Sequence, residues 1–257
     1  MDRVVKVESG ISPKAALRRP GRHERRSSAL FFWAFLSPAL ALTLLFVIYP
    51  FLESSQLVFQ AWEGFGEASF VGLENLSRLA ADPEVHAAFL RTIVYTLITT
   101  AGTVIVGLLL GLAFYRRIPF TRTLKFLAFL PVILPPTFVA LAWRNALDPT
   151  FGWVNQILGL VNPEWSRPWL SDPQAALPIA MAVLVLQYSG IPMVLILASL
   201  NDIPASIIEA ATLDGASRWQ LLRHILLPMS RDVLVVVVSM ELIGHFKFLD
   251  SVYALTG

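Results

Sequence analysis

The sequence has 257 residues, of which 56% are apolar and only 15% are charged, with a formal net charge of +2. Soluble chains carry about 25% charged residues, so this composition excludes an ordinary soluble domain. The absence of cysteine from the sequence excludes a disulfide framework, thiolate metal sites and a cysteine nucleophile.

Long uncharged runs predict membrane-spanning helices, because a hydrocarbon layer of about 30 Å needs roughly 20 apolar residues to cross it. Four runs have this character, and a fifth begins at Val233 but soon acquires ionisable residues. The first run is interpreted as a retained helix rather than a secretory signal, because apolar residues continue past the cleavage-like sequence Ala39-Leu40-Ala41. The predicted spans are 29–52, 92–115, 126–143, 174–200 and about 233–255.

The distribution of lysine and arginine predicts the orientation, because positively charged loops remain in the cytoplasm. Residues 1–28 hold eight basic residues against three acids, and residues 116–125 hold four and no acid. Residues 53–91 hold two basic residues against six acids, and residues 144–173 hold two against three. We predict an all-α polytopic bundle over 29–257. Its basic N-terminal tail lies inside the cell against anionic lipid and does not bind nucleic acid.

A GxxxG pattern from Gly107 to Gly111 in the second run predicts close helix packing, and Thr103 lies on the same face. Small residues at this spacing let another helix backbone approach. Packing within the chain explains the pattern more simply than a dimer seam does.

Prolines interrupt the third and fourth runs, where each removes a backbone donor and strains the preceding turn. Broken helices at membrane depth face a cavity or another helix, because lipid cannot satisfy their backbone groups. One such break coincides with hydrogen-bonding side chains near the middle of the fourth run. A polar solute path and a kink with interhelical hydrogen bonds both explain them. The candidates here are Gln187, Tyr188, Ser189 and Gly190.

The fifth run carries charged residues. Glu241 lies about 12 Å along a helix that enters the hydrocarbon at Val233, and His245 shares its face four residues later. Lys247 and Asp250 share another face. Intramembrane charges are costly, so they line a water-filled path or pair with each other. The sequence leaves both readings open for Glu241 and His245.

Residues 201–232 predict a cytoplasmic elbow of two short helices around a glycine. Pro204 suits the first turn of the first helix, and Asp214-Gly215 ends it. Ser217 and Gln220 have the spacing of a capping box at the start of the second helix. Four residues give the second helix an apolar face: Trp219, Leu222, Ile225 and Leu226.

Pro228 is expected to end the second helix of the elbow. An exposed elbow with an apolar face fits a groove on a partner protein by i, i+3, i+4 anchoring. A helix pair lying on the lipid headgroups explains the amphipathic pattern as well.

The elbow carries a signature of a known family. Glu209-Ala210-Ala211, then Gly215 after three residues and Ile225-Leu226-Leu227-Pro228 after nine more, reproduce the EAA motif, and the chain resembles bacterial ATP-binding-cassette importer permeases. The flanking sequence resembles the carbohydrate branch, in the first-subunit type that includes maltose and glycerol-phosphate permeases. This similarity rests on the segments 36–50, 70–75 and 130–136, and it covers roughly residues 30–257.

This resemblance implies a multi-pass permease of the bacterial inner membrane that takes part in binding-protein-dependent sugar import. In that family an extracytoplasmic solute-binding protein delivers the sugar, two permeases form the path and two ATP-binding subunits hydrolyse ATP. We expect the second permease to be a different polypeptide. The chain itself has no phosphate-binding GxxxxGK[ST] loop, no HExxH and no GxSxG, so we expect that it is not itself the energy source. The family role implies no catalytic residue, metal or cofactor on it.

The resemblance also implies roles within the elbow, which is the coupling helix in the family. Glu209 would be the acidic contact to an ATPase subunit, Gly215 the turn, and Trp219 and Ile225 part of the docking face. The coupling candidates are Glu209, Ala210, Ala211, Asp214, Gly215, Trp219, Ile225 and Pro228.

Two other functions stay open. An ion- or proton-coupled carrier would use Glu241, His245 and Asp250 as a relay and would transport without an ATPase. An integral-membrane enzyme is the second, although the four histidines show no ligand spacing. Members of the resembled family continue past Gly257 to a final span, so we expect this chain to lack a sixth helix.

Overall fold

The uncharged runs form helices, as their composition predicts. The computed structural model describes residues 22–62, 64–115, 119–247 and 255. The predicted all-α class is confirmed, since the described residues hold one strand pair of two residues each beside the helices. Predictions on residues 1–21, on Arg116 and Arg117, and on Asp250 lie outside the described residues. The chain divides into two units, Met1–Pro83 and Glu84–Gly257.

The first unit contains the first apolar run. A continuous helical stretch from Phe31 to Leu57 is long and apolar enough to cross a membrane, and its side chains are unburied within the chain. Asn75 fixes the following loop by donating from Nδ2 to the carbonyl oxygens of Val58 and Gln60, at 3.0 and 2.9 Å. The elements are α1 (Arg22–Thr43), a π-helical turn (Leu44–Ile48), α2 (Tyr49–Leu57), β1 (Gln60–Ala61), antiparallel β2 (Ser69–Phe70) and α3 (Glu74–Ala81).

The second unit is built around the long helix α4. Its helices follow in chain order from α4 to the fifth apolar run. They are α4 (Pro83–Tyr115), α5 (Thr121–Ile133), α6 (Pro136–Ala146), α7 (Trp153–Val161), a 3-10 turn (Pro163–Trp165), α8 (Ala176–Tyr188), α9 (Gly190–Asn201), α10 (Ala205–Leu213), α11 (Arg218–Leu221), a π-helical turn (Leu222–Leu226), α12 (Leu227–Met229) and α13 (Arg231–Phe246).

The third apolar run, predicted as one span over 126–143, forms two helices. The helices α5 and α6 meet at an angle of 103°. Leu134 and Pro135 between them are extended, with ψ of 141° and 135°. A residue that precedes proline avoids the α conformation, so Pro135 and Pro136 in succession break the helix here. The break that the prolines of this run predicted is confirmed, and the run is not one straight helix.

The fourth apolar run bends by 41° between α8 and α9, where the sequence predicted a break. The GxxxG face of α4 packs on this bend. A Cβ added to Gly107 would meet the side chain of Pro192 and lie 3.0 Å from the Ser189 carbonyl oxygen. A Cβ on Gly111 would lie 3.4 Å from the Cγ2 atom of Ile196. The prediction that the GxxxG pattern serves packing within the chain is confirmed.

Among the described residues, two helices are each long and apolar enough to cross a membrane. The number of candidate spans rises to four if the bent pair α5 and α6 and the bent pair α8 and α9 each form one span. The fifth predicted span, about 233–255, begins within α13, a helix of 16 residues from Arg231 that is not among the helices counted above. Residues 248–254 at the end of that span lie outside the described residues.

The segment between α6 and α8 is organised by Asn155 on α7, which is buried. Its Nδ2 atom donates to the carbonyl oxygens of Leu147, Asp148 and Arg167, and its Oδ1 atom accepts from the Arg167 backbone and from Trp169 Nε1 at 2.8 Å. One amide side chain thus satisfies several backbone groups of this segment, because buried backbone groups need partners.

Candidate functional site

The first helix of the elbow ends as predicted at Asp214-Gly215. Gly215 is left-handed with a φ of +81°. The backbone N–H of Ala216 donates to the Ala211 carbonyl at 2.9 Å, and that of Gly215 donates to Thr212 at 3.1 Å. This pair of bonds is the Schellman motif, which a glycine adopts without strain.

The second helix of the elbow starts with the predicted capping box. The backbone N–H of Ser217 donates to Gln220 Oε1 at 2.8 Å, and the backbone N–H of Gln220 donates to Ser217 Oγ at 3.3 Å. The expectation that Pro228 ends the helix is wrong, because α12 continues through it to Met229. In the π-helical turn before Pro228, the backbone N–H of Leu227 donates to the Leu222 carbonyl. The helical hydrogen-bonding pattern has therefore already changed at the position where Pro228, which has no N–H, follows.

The elbow is fixed to the helix bundle by an apolar cluster. Ile203 at the start of the elbow is buried with Ile196 and Leu200 of α9 and Val237 of α13. Ile208 and Leu226, one from each half of the elbow, pack against this cluster. A displacement of the elbow therefore moves α9 and α13 with it, since packed side chains transmit strain.

The coupling candidates lie on the outside of this anchored elbow. Glu209 and Asp214 are exposed, and within the described part of the chain no basic side chain forms an ion pair with Glu209. Trp219 is 65% exposed and Leu213 is 88% exposed, so the elbow presents apolar surface to its surroundings. Exposure differs among the remaining candidates: Ala210, Gly215 and Pro228 are exposed, and Ala211 and Ile225 are half-buried.

A second group of candidates forms a buried polar cluster between α4, α8 and α13. His245 Nδ1 lies 3.8 Å from Glu241 Oε2 and 3.2 Å from the Thr100 hydroxyl. The ring of Tyr188 meets His245 edge to face, with 6.2 Å between centroids. Of the two readings that the sequence left open, the structure shows Glu241 and His245 as a buried pair. The structure also places the ring of Tyr188 against His245 of this pair, a contact that the sequence did not predict.

The threonines of α4 form a polar stripe that the sequence analysis missed. Four of the five threonines of α4 are buried, and the side chains of Thr96, Thr99 and Thr103 have no hydrogen-bond partner among the described residues. Their spacing of three, one and three residues places them on one helix face, a signal visible in the sequence. Buried hydroxyls without partners indicate a place that water or a polar solute satisfies. The stripe comprises Thr96, Thr99, Thr100 and Thr103.

The other path candidates serve the bend in the fourth run. Gln187 is buried, and its Nε2 atom has no hydrogen-bond partner among the described residues. Ser189 Oγ donates to the Leu186 carbonyl at 3.3 Å. Gly190 packs against α5, where an added Cβ would lie 3.0 Å from the Ala128 carbonyl oxygen. Ser189 and Gly190 therefore fit the alternative of a structural kink, whereas the Nε2 group of Gln187 can still donate hydrogen bonds.

The sequence matches one protein-family model over residues 103–257, a stretch that includes the elbow and the bent fourth run. The family is described as "Binding-protein-dependent transport system inner membrane component".

Curated relatives cover nearly the whole chain. The probable ABC transporter permease protein YurN of Bacillus subtilis is 34% identical over 232 residues, which is 88% of this chain and 78% of that protein. The alpha-glucoside transport system permease protein AglF of Rhizobium meliloti is 30% identical over 241 residues, 91% of this chain and 70% of that protein. The diacetylchitobiose uptake system permease protein NgcF of Streptomyces coelicolor is 30% identical over 256 residues, which is 90% of this chain and 70% of that protein.

Among solved structures, a chain of a bacterial alginate ABC transporter, crystallised with an alginate pentasaccharide-bound periplasmic protein, has the same fold. The TM-score is 0.77 over 90% of this chain and 81% of that chain, at 19% sequence identity.

Proposed function

Because this chain belongs to the family of binding-protein-dependent transport system inner membrane components, we propose that it is the permease subunit of an ATP-driven sugar importer. Sugar is the proposed solute because AglF is named for alpha-glucoside transport and NgcF for diacetylchitobiose uptake. The proposed location is the bacterial inner membrane, crossed several times. The proposed partners are two ATP-binding subunits, a second and different permease, and an extracytoplasmic solute-binding protein.

The elbow is the observation that carries this proposal. It is anchored to α9 and α13 through Ile203, and it leaves Glu209 and an apolar surface exposed. A short exposed helix of this kind suits a groove on a partner subunit. Closure of ATP-binding subunits below the membrane would move two such elbows together and change the packing of the helices above them.

The proposed solute path uses the polar groups of α4, α8 and α13. Gln187, Glu241 and His245 lie at membrane depth, where polar groups are costly and are retained for a function or for each other. All three are buried in this conformation, and the path opens only when the helices repack. Hydroxyl-rich solutes suit such a surface because each hydroxyl both donates and accepts.

The ion-coupled carrier is the competing function, and the pair of Glu241 and His245 is the observation that favours it. A carrier needs a titrating group whose proton moves with the solute, and a buried carboxylate next to a histidine supplies one. A carrier also needs no partner that binds ATP.

Affinity purification of the tagged full chain from its own membrane tests the proposal. The expected result is recovery of an ATP-binding subunit and a second permease in a stoichiometry of two ATP-binding subunits to one of each permease. A Glu209→Lys chain carries the tag into the same membrane and is the matched control, and we expect it to lose the ATP-binding subunits and keep the second permease. Purification of the chain alone from gently solubilised membranes would contradict the proposal.

A further inference from the structure

A groove separates the cytoplasmic end of α4 from the second helix of the elbow. Its volume is about 580 Å³, within the range of roughly 300–1,000 Å³ that small-molecule sites occupy. Leu112 and Tyr115 of α4 form one wall, and Trp219 and Leu222 of the elbow form another. The groove is distinct from the buried polar cluster, because none of its lining residues belongs to that cluster.

The side chains that line the groove are aliphatic or aromatic, with one exception. Eight described residues line it, and Arg218 is the single charged residue among them. Arg218 is exposed, and within the described part of the chain no carboxylate forms an ion pair with it. The groove therefore combines an apolar wall with one cationic side chain, Arg218. This combination complements a molecule that has an apolar body and an anionic head.

The predicted orientation places the groove at the cytoplasmic surface of the bilayer. Tyr115 is the last residue of α4, and the loop that follows, 116–125, contains four basic residues and no acid in the sequence. Tyrosine side chains concentrate at the level of the lipid headgroups, and basic loops lie on the cytoplasmic side. Anionic lipids gather on this side of the membrane and occupy basic pockets between helices.

We propose that this groove binds one anionic phospholipid, with the acyl chain against Leu112 and Leu222 and the phosphate at Arg218. Charge complementarity favours this occupant over a zwitterionic lipid, whose ammonium group would face Arg218. A lipid held there would contact α4 and the elbow together. The proposal does not depend on the transported solute, and the groove shares Trp219 with the proposed contact to an ATP-binding subunit.

Native mass spectrometry of the tagged chain and the subunits that accompany it tests the proposal. The assembly is reconstituted in vesicles of phosphatidylglycerol and phosphatidylethanolamine and then released, and the lipid retained on this chain is counted. We expect one phosphatidylglycerol in preference to phosphatidylethanolamine. The Arg218→Gln chain should retain about fivefold less, since one basic residue contributes about 1 kcal/mol to contact with anionic lipid. The Arg218→Lys chain should keep most of the retention.

Arg223 provides the matched control, because it is exposed on the same elbow and does not line the groove. The Arg223→Gln chain should retain phosphatidylglycerol as the unsubstituted chain does. Equal retention of the two lipids, or an equal loss in the Arg218→Gln and Arg223→Gln chains, would overturn the proposal. Absence of the lipid from the assembly would also overturn the proposal, because the groove would then belong to a protein partner. Uptake measured in the same vesicles reports separately on the proposed function.

Discussion

Substitution of Glu209 by lysine is expected to abolish ATP-driven uptake while the chain keeps its fold and its place in the membrane. Glu209 is exposed on α10, and no basic side chain among the described residues forms an ion pair with it. Reversal of its charge therefore disturbs little within the chain. At an interface, the loss of one partner of a close charge pair costs about 2–5 kcal/mol. We expect uptake to fall at least about tenfold, because the weakened contact releases the ATP-binding subunits from the elbow.

The Asp202→Lys chain is the matched control for this experiment. Asp202 is an exposed acid of the same elbow and lies outside the EAA motif. Both substitutions change the net charge by the same amount, so a general effect of charge on insertion or solubility would appear in both. Equal loss of uptake in the two chains, or unchanged uptake in the Glu209→Lys chain, would remove Glu209 from the coupling contact.

Substitution of Glu241 separates the importer from the ion-coupled carrier. In an importer Glu241 serves as a hydrogen-bonding group, so glutamine should keep uptake within about threefold of the unsubstituted chain. Leucine should lower it at least about tenfold, because a buried polar partner left unsatisfied costs about 1–3 kcal/mol. In a proton-coupled carrier glutamine cannot carry the proton, and both variants would lose solute accumulation.

Uptake by the Glu241→Gln and Glu241→Leu chains is measured in vesicles with ATP inside, with and without an uncoupler of the proton gradient. Ser239→Ala is the matched control, since Ser239 lies on α13 two residues earlier, is exposed, and donates only to the Val235 carbonyl of its own helix among the described residues. Loss of uptake in the glutamine chain together with sensitivity to the uncoupler would favour the carrier.

Local rules predicted the elbow well, because its structure depends on neighbours in the sequence. The capping box of Ser217 and Gln220 and the left-handed Gly215 are local devices, whose hydrogen bonds span three to five residues. The GxxxG face of α4 was also predictable, since close packing requires small residues whatever the partner helix is. What the sequence did not specify was the partner, the bend beside Pro192.

Features that depend on distant residues escaped prediction. The hydrogen bond between the Thr100 hydroxyl and His245 Nδ1 joins residues that are 145 positions apart, so no local sequence pattern predicts it. The prolines of the third run predicted a break there, but neither they nor hydropathy predicted the angle of 103° between its two helices. The π-helical turn before Pro228 likewise depends on the packing of Leu226 against the bundle. The role of the elbow toward an ATPase stays a prediction.

The most direct test of the central claim is solute uptake by the purified assembly in vesicles, with the solute-binding protein on the outside and ATP or a non-hydrolysable analogue on the inside. Our account predicts that labelled sugar accumulates only with hydrolysable ATP and only with the binding protein, and that collapse of the ion gradients leaves the rate unchanged. Accumulation without any nucleotide, driven by an imposed proton or sodium gradient, would contradict it.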